Sequence, residues 1–140
     1  MKNVEIILKT VNSKELKFLY ELLMQRNSEE NISHRKMPSY SQHVKFVNSK
    51  PYAFWYIIIE NKEKIGSIYL PKLNEIGISF IKEKKGKKLE GKILNLIMNR
   101  HQRKRFFINI SPKNKKLELQ IKKNGFKIIQ KTYEIERDVK

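Results

Sequence analysis

Ten residues, Lys82-Glu-Lys-Lys-Gly-Lys-Lys-Leu-Glu-Gly91, hold five lysines and two glycines immediately ahead of an amphipathic stretch. A helix N-terminus presents unpaired backbone N–H groups and the positive end of its dipole, and glycine lets backbone approach an anion closely or take a positive φ. Lysines around such a turn add charge-assisted hydrogen bonds, so this segment suits the holding of a diphosphate. A second set of residues lies between Arg26 and Tyr56: His34, Tyr40, His43, Phe46, Tyr52 and Trp55. Aromatic faces stack on a sugar or a base, and a histidine can orient or deprotonate an amine near neutral pH. The same residues also have ordinary structural uses. Phe46 is expected in the core and His43 is open between core and site, while the plainer reading makes Trp55 core and His34 surface.

Several other chemistries are excluded. The chain has no cysteine, which removes thiol nucleophiles, disulfides and thiolate metal sites. His34, His43 and His101 lack ligand spacing and carboxylate company, so no metal is expected. Asp138 is the only aspartate and lies in the tail, which leaves no Ser-His-Asp arrangement. The formal charge of +17 comes from 25 Lys and 6 Arg spread along the whole sequence. Arginine is the better reader of phosphates and bases and is scarce here, so a solvated basic surface with one local anion site is expected rather than a nucleic-acid interface. No apolar run approaches the ~20 residues needed to span a bilayer. The N-terminal stretch lacks a signal-peptide core, so a soluble cytoplasmic protein with no membrane partner is expected. A length of 140 residues fits one domain, residues 1–140.

These residues need elements to hold them. The pattern predicts a strand over Val4 to Leu8 and a helix over Ser13 to Gln25, with Asn12 and Glu15 as a capping box. A short helix starts at Ser39, where Gln42 completes a Ser-x-x-Gln box. Strands follow at Ala53 to Glu60, Ile65 to Leu70 and Glu75 to Ile81, the first two joined by a turn at Asn61 to Lys64. In the third, Ile76, Ile78 and Phe80 share one face, and Glu75, Gly77, Ser79 and Ile81 the other. The lysine-rich loop then opens a helix to about Gln102 with Leu89, Ile93, Leu96 and Ile97 as its buried stripe. A strand over Phe106 to Ile110, a helix from Ser111-Pro112 to Asn124-Gly125 and a last strand over Phe126 to Glu136 complete the order. A strand meander followed by alternating helices and strands implies an α/β (α+β) domain with a mixed sheet.

This order resembles the Gcn5-related N-acetyltransferase fold along nearly the whole chain. Three segments carry the resemblance: Glu75 to Gly91, Ile108-Asn-Ile-Ser-Pro-Lys-Asn114, and Lys122-Lys-Asn-Gly-Phe126. They are similar, in turn, to the family's strand and Gln/Arg-x-x-Gly-x-Gly/Ala loop, to the strand end and Asn before its next helix, and to its helix-ending Lys-x-Gly-Phe. Aligned on Lys85, the loop has Gly86 where an intervening glycine commonly occurs, but Lys88 and Glu90 stand at the two motif glycines. Charge pairing by Lys82, Lys84, Lys85, Lys87 and Lys88 would have to offset them. Otherwise the lysines are merely solvated and the coenzyme is not held tightly.

The resemblance implies a mostly antiparallel sheet, flanked by helices and splayed between its fourth and fifth strands, with the pantetheine arm of acetyl-CoA in the gap. It further implies cofactor contacts from Phe80, Ile81 and Lys82, from Lys85, Gly86, Lys87, Lys88, Leu89, Glu90 and Gly91, and from Asn109 and Asn114. It implies an oxyanion-binding N–H near Ile78 to Phe80 and a base at Glu75, whose plainer reading is a strand-edge carboxylate. The position where many relatives carry a Tyr acid is Ile121, so Tyr133, Tyr40, Tyr52, a histidine or a water would serve, or the thiolate would leave unaided. The order Arg-Asn, Met, His, Phe ahead of the central strands is similar to enzymes acetylating nucleotide-linked amino sugars. That puts His34, Tyr40, His43, Tyr52 and Trp55 on the acceptor. The implied activity is acetyl transfer to a primary amine of a small molecule, and a homodimer is admitted. Its rivals are a protein or peptide amine as acceptor, and a lapsed fold that binds nucleic acid or another polyanion.

Overall fold

A computed structural model of the chain describes residues 5–26 and 37–139. Five strands form one sheet in the order β1-β2-β3-β4-β5: β1 Ile6–Thr10, β2 Phe54–Glu60, β3 Glu63–Leu70, β4 Glu75–Phe80 and β5 Phe107–Ile108. The first four are antiparallel neighbours, and β5 runs parallel to β4. Four helices accompany them: α1 Leu16–Met24, α2 Tyr40–Asn48, α3 Glu90–Arg100 and α4 Lys115–Lys123. This is the mixed α+β architecture expected from the sequence. No helix among the described residues is long and apolar enough to cross a membrane.

Strand alternation sorts the core into two layers. On one face Tyr56 and Ile58 of β2, Ile68 and Leu70 of β3, and Ile76 and Phe80 of β4 pack with Ile93, Leu94 and Ile97 of α3 and Ile121 of α4. On the other, Ile57 meets Leu19, Leu22 and Val47 of α1 and α2, with Trp55 and Ile59 packed alongside. Ile57, Ile58, Ile65 and Ile68 are wholly buried, and each stabilises the fold by about 1.5–3 kcal/mol relative to exposure. Two registers are pinned locally. Asn61 and Lys62 take φ of 48° and 72°, which makes a two-residue hairpin turn with the twist strands prefer. Ser39 and Gln42 cap α2 reciprocally, at 3.1 and 2.9 Å.

Four expectations are corrected. Asn12 accepts from the Lys14 N–H rather than closing a box with Glu15. The Glu15 carboxylate is instead 1% exposed and takes Lys64 Nζ at 2.6 Å, since a buried charge needs a cation more than a helix end needs a second cap. α4 is capped by Asn114, which accepts from the Leu117 N–H, while Ser111 to Asn114 form a separate turn. The strand over Phe106 to Ile110 shrinks to two paired residues, because β4 diverges beyond them. No strand forms over Phe126 to Glu136, where Ile128, Ile129, Tyr133 and Ile135 stand in solvent. The Gly125 C-cap expected for α4 is present, with φ of 91° and the Phe126 N–H returning to the Ile121 carbonyl.

His101, just past α3, lies 2.6 Å from the Tyr56 hydroxyl. Burial first, then Arg103 and Arg100, hold its pKa below the ordinary 6.5. The unfolded chain therefore binds this proton first as pH falls, so stability drops as pH is lowered from about 6.5 toward the folded-state value. Melting temperature measured from pH 7.5 to 5.5 should fall, and His101→Gln should flatten part of that slope. Separately, Glu15→Gln, which removes the partner of Lys64, should cost about 1–3 kcal/mol in urea unfolding.

Candidate functional site

β4 and β5 pair only at Glu75 with Phe107 and Ile76 with Ile108. Beyond these residues the strands part, and Ile78, Phe80, Asn109, Ile110 and Ser111 line a cavity of about 1150 Å³. The strand period fixes what faces it. Gly77 and Ser79 pair across to Tyr69 and Ser67 of β3, and the Ile81 N–H donates to the Ile65 carbonyl at 2.8 Å. The odd-numbered residues thus spend their backbone groups on β3, and the even-numbered Ile78 and Phe80 turn theirs toward the gap. Ile81 and Lys82 do not join them. The Ile81 carbonyl accepts from Lys84, the Lys82 carbonyl from Lys85, and the Lys82 N–H donates to Gln25 Oε1 at 2.6 Å. Of the three backbone contacts expected at Phe80 to Lys82, the structure therefore leaves Phe80.

At one mouth of the cavity lies the lysine-rich loop. Gly86 and Lys88 both adopt left-handed backbone, at φ of 78° and 60°. The conformation a glycine would supply is thus kept at Lys88 without the glycine, at a cost of roughly 1 kcal/mol. Lys85, Gly86 and Glu90 line the cavity together with Lys113, Lys115 and Lys116 from the start of α4. Lys85 Nζ donates to the Gln25 carbonyl at 2.6 Å, and Lys84 is tied to Glu60 at 2.5 Å, which raises its pKa. Glu90 opens α3, where its charge suits the dipole, but its Oε2 is buried without a hydrogen bond. Leu89 packs on the core. Gly91 is a contact glycine, since a Cβ there would come within 2.6 Å of the Asn124 amide. Lys87, Lys88, Leu89 and Gly91 do not line the cavity.

The opposite face of β4 builds a second wall. Trp55, Tyr69 and Gly77 stand in one cross-strand row. Tyr69 lies where a Gly77 side chain would be, 1.9 Å from that Cβ position. Tyr52 stacks on Tyr69 with centroids 3.7 Å apart and planes parallel to 1°, and Trp55 meets Tyr52 edge-on at 4.9 Å. Burial first, then Tyr69, push the Tyr52 hydroxyl above the usual phenol range, so it stays protonated at neutral pH. Glu75 is exposed at the head of β4 and accepts from Asn109 Nδ2 across the strand pair. The Trp55 Nε1 is buried without a hydrogen bond.

Glu75, Phe80, Lys85, Gly86, Glu90, Asn109, Asn114, His43, Tyr52 and Trp55 are thus gathered on one cavity. The His43 imidazole is 3% exposed and its Nε2 lies 2.9 Å from the Leu16 carbonyl, so it ties α2 to α1. Tyr40 packs edge-on against Tyr20 outside the cavity lining, and Tyr133 is 85% exposed. Phe46 is 45% exposed on the cavity wall, not core as expected, because α2 presents Val47 inward instead. His34 lies outside the described residues. Tyr69 and Gly77 were not singled out in the sequence as site residues. Counting β3 and β4 outward from their hairpins would have put them beside Trp55.

No family model and no curated protein matches the chain. Solved structures do. A domain from Methanocaldococcus jannaschii superposes with a TM-score of 0.81 over 94% of each chain at 20% identity. Spermidine N-acetyltransferase from Vibrio cholerae, in complex with CoA and spermine, gives 0.73 over 86% of this chain and 79% of that one at 17% identity. A dodecameric structure of the same enzyme gives 0.69 over 86% and 78% at 16% identity. The fold is that of the Gcn5-related N-acetyltransferases.

Lys88→Gly should raise stability by roughly 1 kcal/mol, read by urea unfolding, because it keeps the left-handed turn and removes its steric cost. Gly77→Ala should displace the Tyr69 ring and cost about 1–3 kcal/mol, with weakened Tyr52 stacking seen as a changed near-ultraviolet circular dichroism spectrum.

Proposed function

We propose that the chain transfers the acetyl group of acetyl-CoA to a primary amine on a small molecule. The observation that carries this is the parting of β4 from β5, which turns the backbone of Ile78 and Phe80 into an open gap beside a helix mouth. The residues present fit the coenzyme. The gap offers backbone partners to pantetheine amides, and the mouth offers left-handed turns at Gly86 and Lys88. Lys85, Lys113, Lys115 and Lys116 bring positive charge to the diphosphate, outweighing the single carboxylate of Glu90. Asn114 lines the same mouth while capping α4. Bound acetyl-CoA supplies a thioester-activated acetyl group.

The chain's own groups perform the rest. Glu75, oriented by Asn109, takes the proton of the incoming amine directly or through a water. The Ile78 N–H, aimed into the gap, donates to the oxygen on which negative charge develops. Tyr52, which lines the same cavity and is protonated at neutral pH, is the candidate to return a proton to the departing thiolate. The position of α4 where many relatives carry tyrosine holds Ile121, which is buried and cannot donate.

The acceptor wall favours an amine borne on a sugar or a base over a polyamine. Tyr52, Trp55 and Phe46 supply aromatic faces, and the Gln42 amide supplies a hydrogen-bond donor suited to ligand oxygens. Among the described lining residues the carboxylates are Glu75 and Glu90 alone, beside Arg26 and several lysines. A polycation such as the spermine held by the Vibrio cholerae enzyme would meet like charge here. A nucleotide-linked amino sugar, whose phosphates are anionic, meets a lining in which Arg26 and the lysines outnumber the two carboxylates. The unpartnered Glu90 oxygen favours one other reading, a lapsed fold whose basic mouth binds polyanions without turnover.

Acetyl-CoA at one hundred times its dissociation constant should stabilise the fold by about 2.7 kcal/mol. No melting shift at millimolar acetyl-CoA, together with salt-sensitive RNA binding, would instead establish the lapsed fold. In a panel of amines with thiol release as readout, amino-sugar nucleotides should turn over and spermidine should not. Glu75→Gln should lower turnover about 100-fold, with coenzyme affinity unchanged.

A further inference from the structure

Two hydroxyls lie side by side on the floor of the cavity, and packing alone does not account for them. Ser67 of β3 and Ser79 of β4 are paired directly across the antiparallel ladder, so their side chains leave the sheet on the same face. Both line the cavity. The next residue in that row is Ile57 of β2, which is wholly buried. Leu19 and Leu22 of α1 pack on Ile57 and line the cavity as well. Ser67 is itself only 6% exposed. Among the described residues neither hydroxyl has a hydrogen-bond partner.

A hydroxyl buried in apolar surroundings without a partner is costly, and alanine would fill the same place without that cost. Small size therefore does not explain a serine at this point. A bound group that both gives and takes a hydrogen bond does.

We propose that Ser67 and Ser79 form a subsite for a hydroxyl of the acceptor, which selects amines carrying a hydroxyl close to the reacting nitrogen. The inference rests on the acetyl-transfer reading for the position of the amine. In that reading the Ile78 N–H takes the developing oxyanion, and Ser79 is the next residue along the strand. A hydroxyl held by the pair therefore belongs to a carbon near the one that bears the amine. The row of Trp55, Tyr69 and Gly77 lies two residues away on each strand, roughly 7 Å along the sheet. An acceptor ring laid against the aromatic wall thus brings its edge, and the hydroxyls on it, to the serines.

Discrimination follows from desolvation. Once an acceptor fills the cavity, one that lacks the hydroxyl leaves Ser67 buried and unpaired, whereas a hydroxylated amine satisfies it. An alkyl polyamine is disfavoured on this ground as well as by its charge.

Calorimetric titration, run with CoA and without it, reads acceptor binding in the absence of turnover. The chain should bind trans-2-aminocyclohexanol about tenfold tighter than cyclohexylamine, which differs by that hydroxyl alone. In Ser67→Ala/Ser79→Ala the two amines should bind alike, with CoA affinity unchanged. The melting temperature of Ser67→Ala should rise, because a buried hydroxyl without a partner is removed. Equal binding of the two amines to the unaltered chain, or none, overturns the subsite and leaves hydroxyls that serve only solvent. So does a lower melting temperature in Ser67→Ala, since the hydroxyl would then be holding the fold. Selective binding of the hydroxylated amine without thiol release from acetyl-CoA would keep the subsite and remove the acetyl-transfer reading.

Discussion

Two pairs of residues hold β4 to β5, and everything distinctive about this chain follows from the pairing stopping there. A continued ladder would have joined the backbone groups of Ile78 and Phe80 to residues beyond Ile108. Backbone amides set inside a protein without partners are costly, so a gap of this kind persists only where solvent or a ligand can supply the missing bonds. Where β5 leaves it, β4 is held by its pairing to β3 from Gly77 to Phe80 on the other side. α3 and α4 pack beneath through Ile93, Leu94, Ile97 and Ile121, so the sheet can open without losing its core.

The two faces of β4 then divide the work. The face bearing Ile76 and Phe80 is committed to packing. The face bearing Glu75, Gly77 and Ser79 is committed to polar and aromatic chemistry. Gly77 lets the Tyr69 ring lie against the strand, and that ring supports Tyr52, which in turn meets Trp55. An aromatic wall is thus built outward from one missing side chain. The charges are similarly divided, with lysines at the helix mouth and a carboxylate at the head of the strand.

Much of this was legible in the sequence, and the reasons are local. The Ser39 box, the Gly125 cap and the in-out alternation of β4 depend on a few neighbouring residues, and each appears as the pattern dictates. The splayed fourth and fifth strands, implied by the resemblance, are also present. What escaped depends on long-range pairing. Glu15 reads as a capping residue until Lys64, forty-nine positions away, is seen to claim it. Phe46 reads as core until α2 is seen to turn Val47 inward. Lys88 reads as a lost glycine, yet the backbone keeps the glycine's conformation. Ile81 and Lys82 read as ligand contacts until their neighbours are seen to use their amides.

The loop at the cavity mouth is tied to Gln25 and Glu60 and is flanked at both ends by α4. α4 brings Lys116 Nζ within 3.5 Å of where a side chain on Gly86 would begin, and at its other end the Asn124 amide rests against Gly91. The mouth is therefore shaped when the chain folds, and little of its ordering is left for an arriving ligand to bring about. Association should resemble a key entering a cut lock, with most of the entropy already surrendered before the encounter.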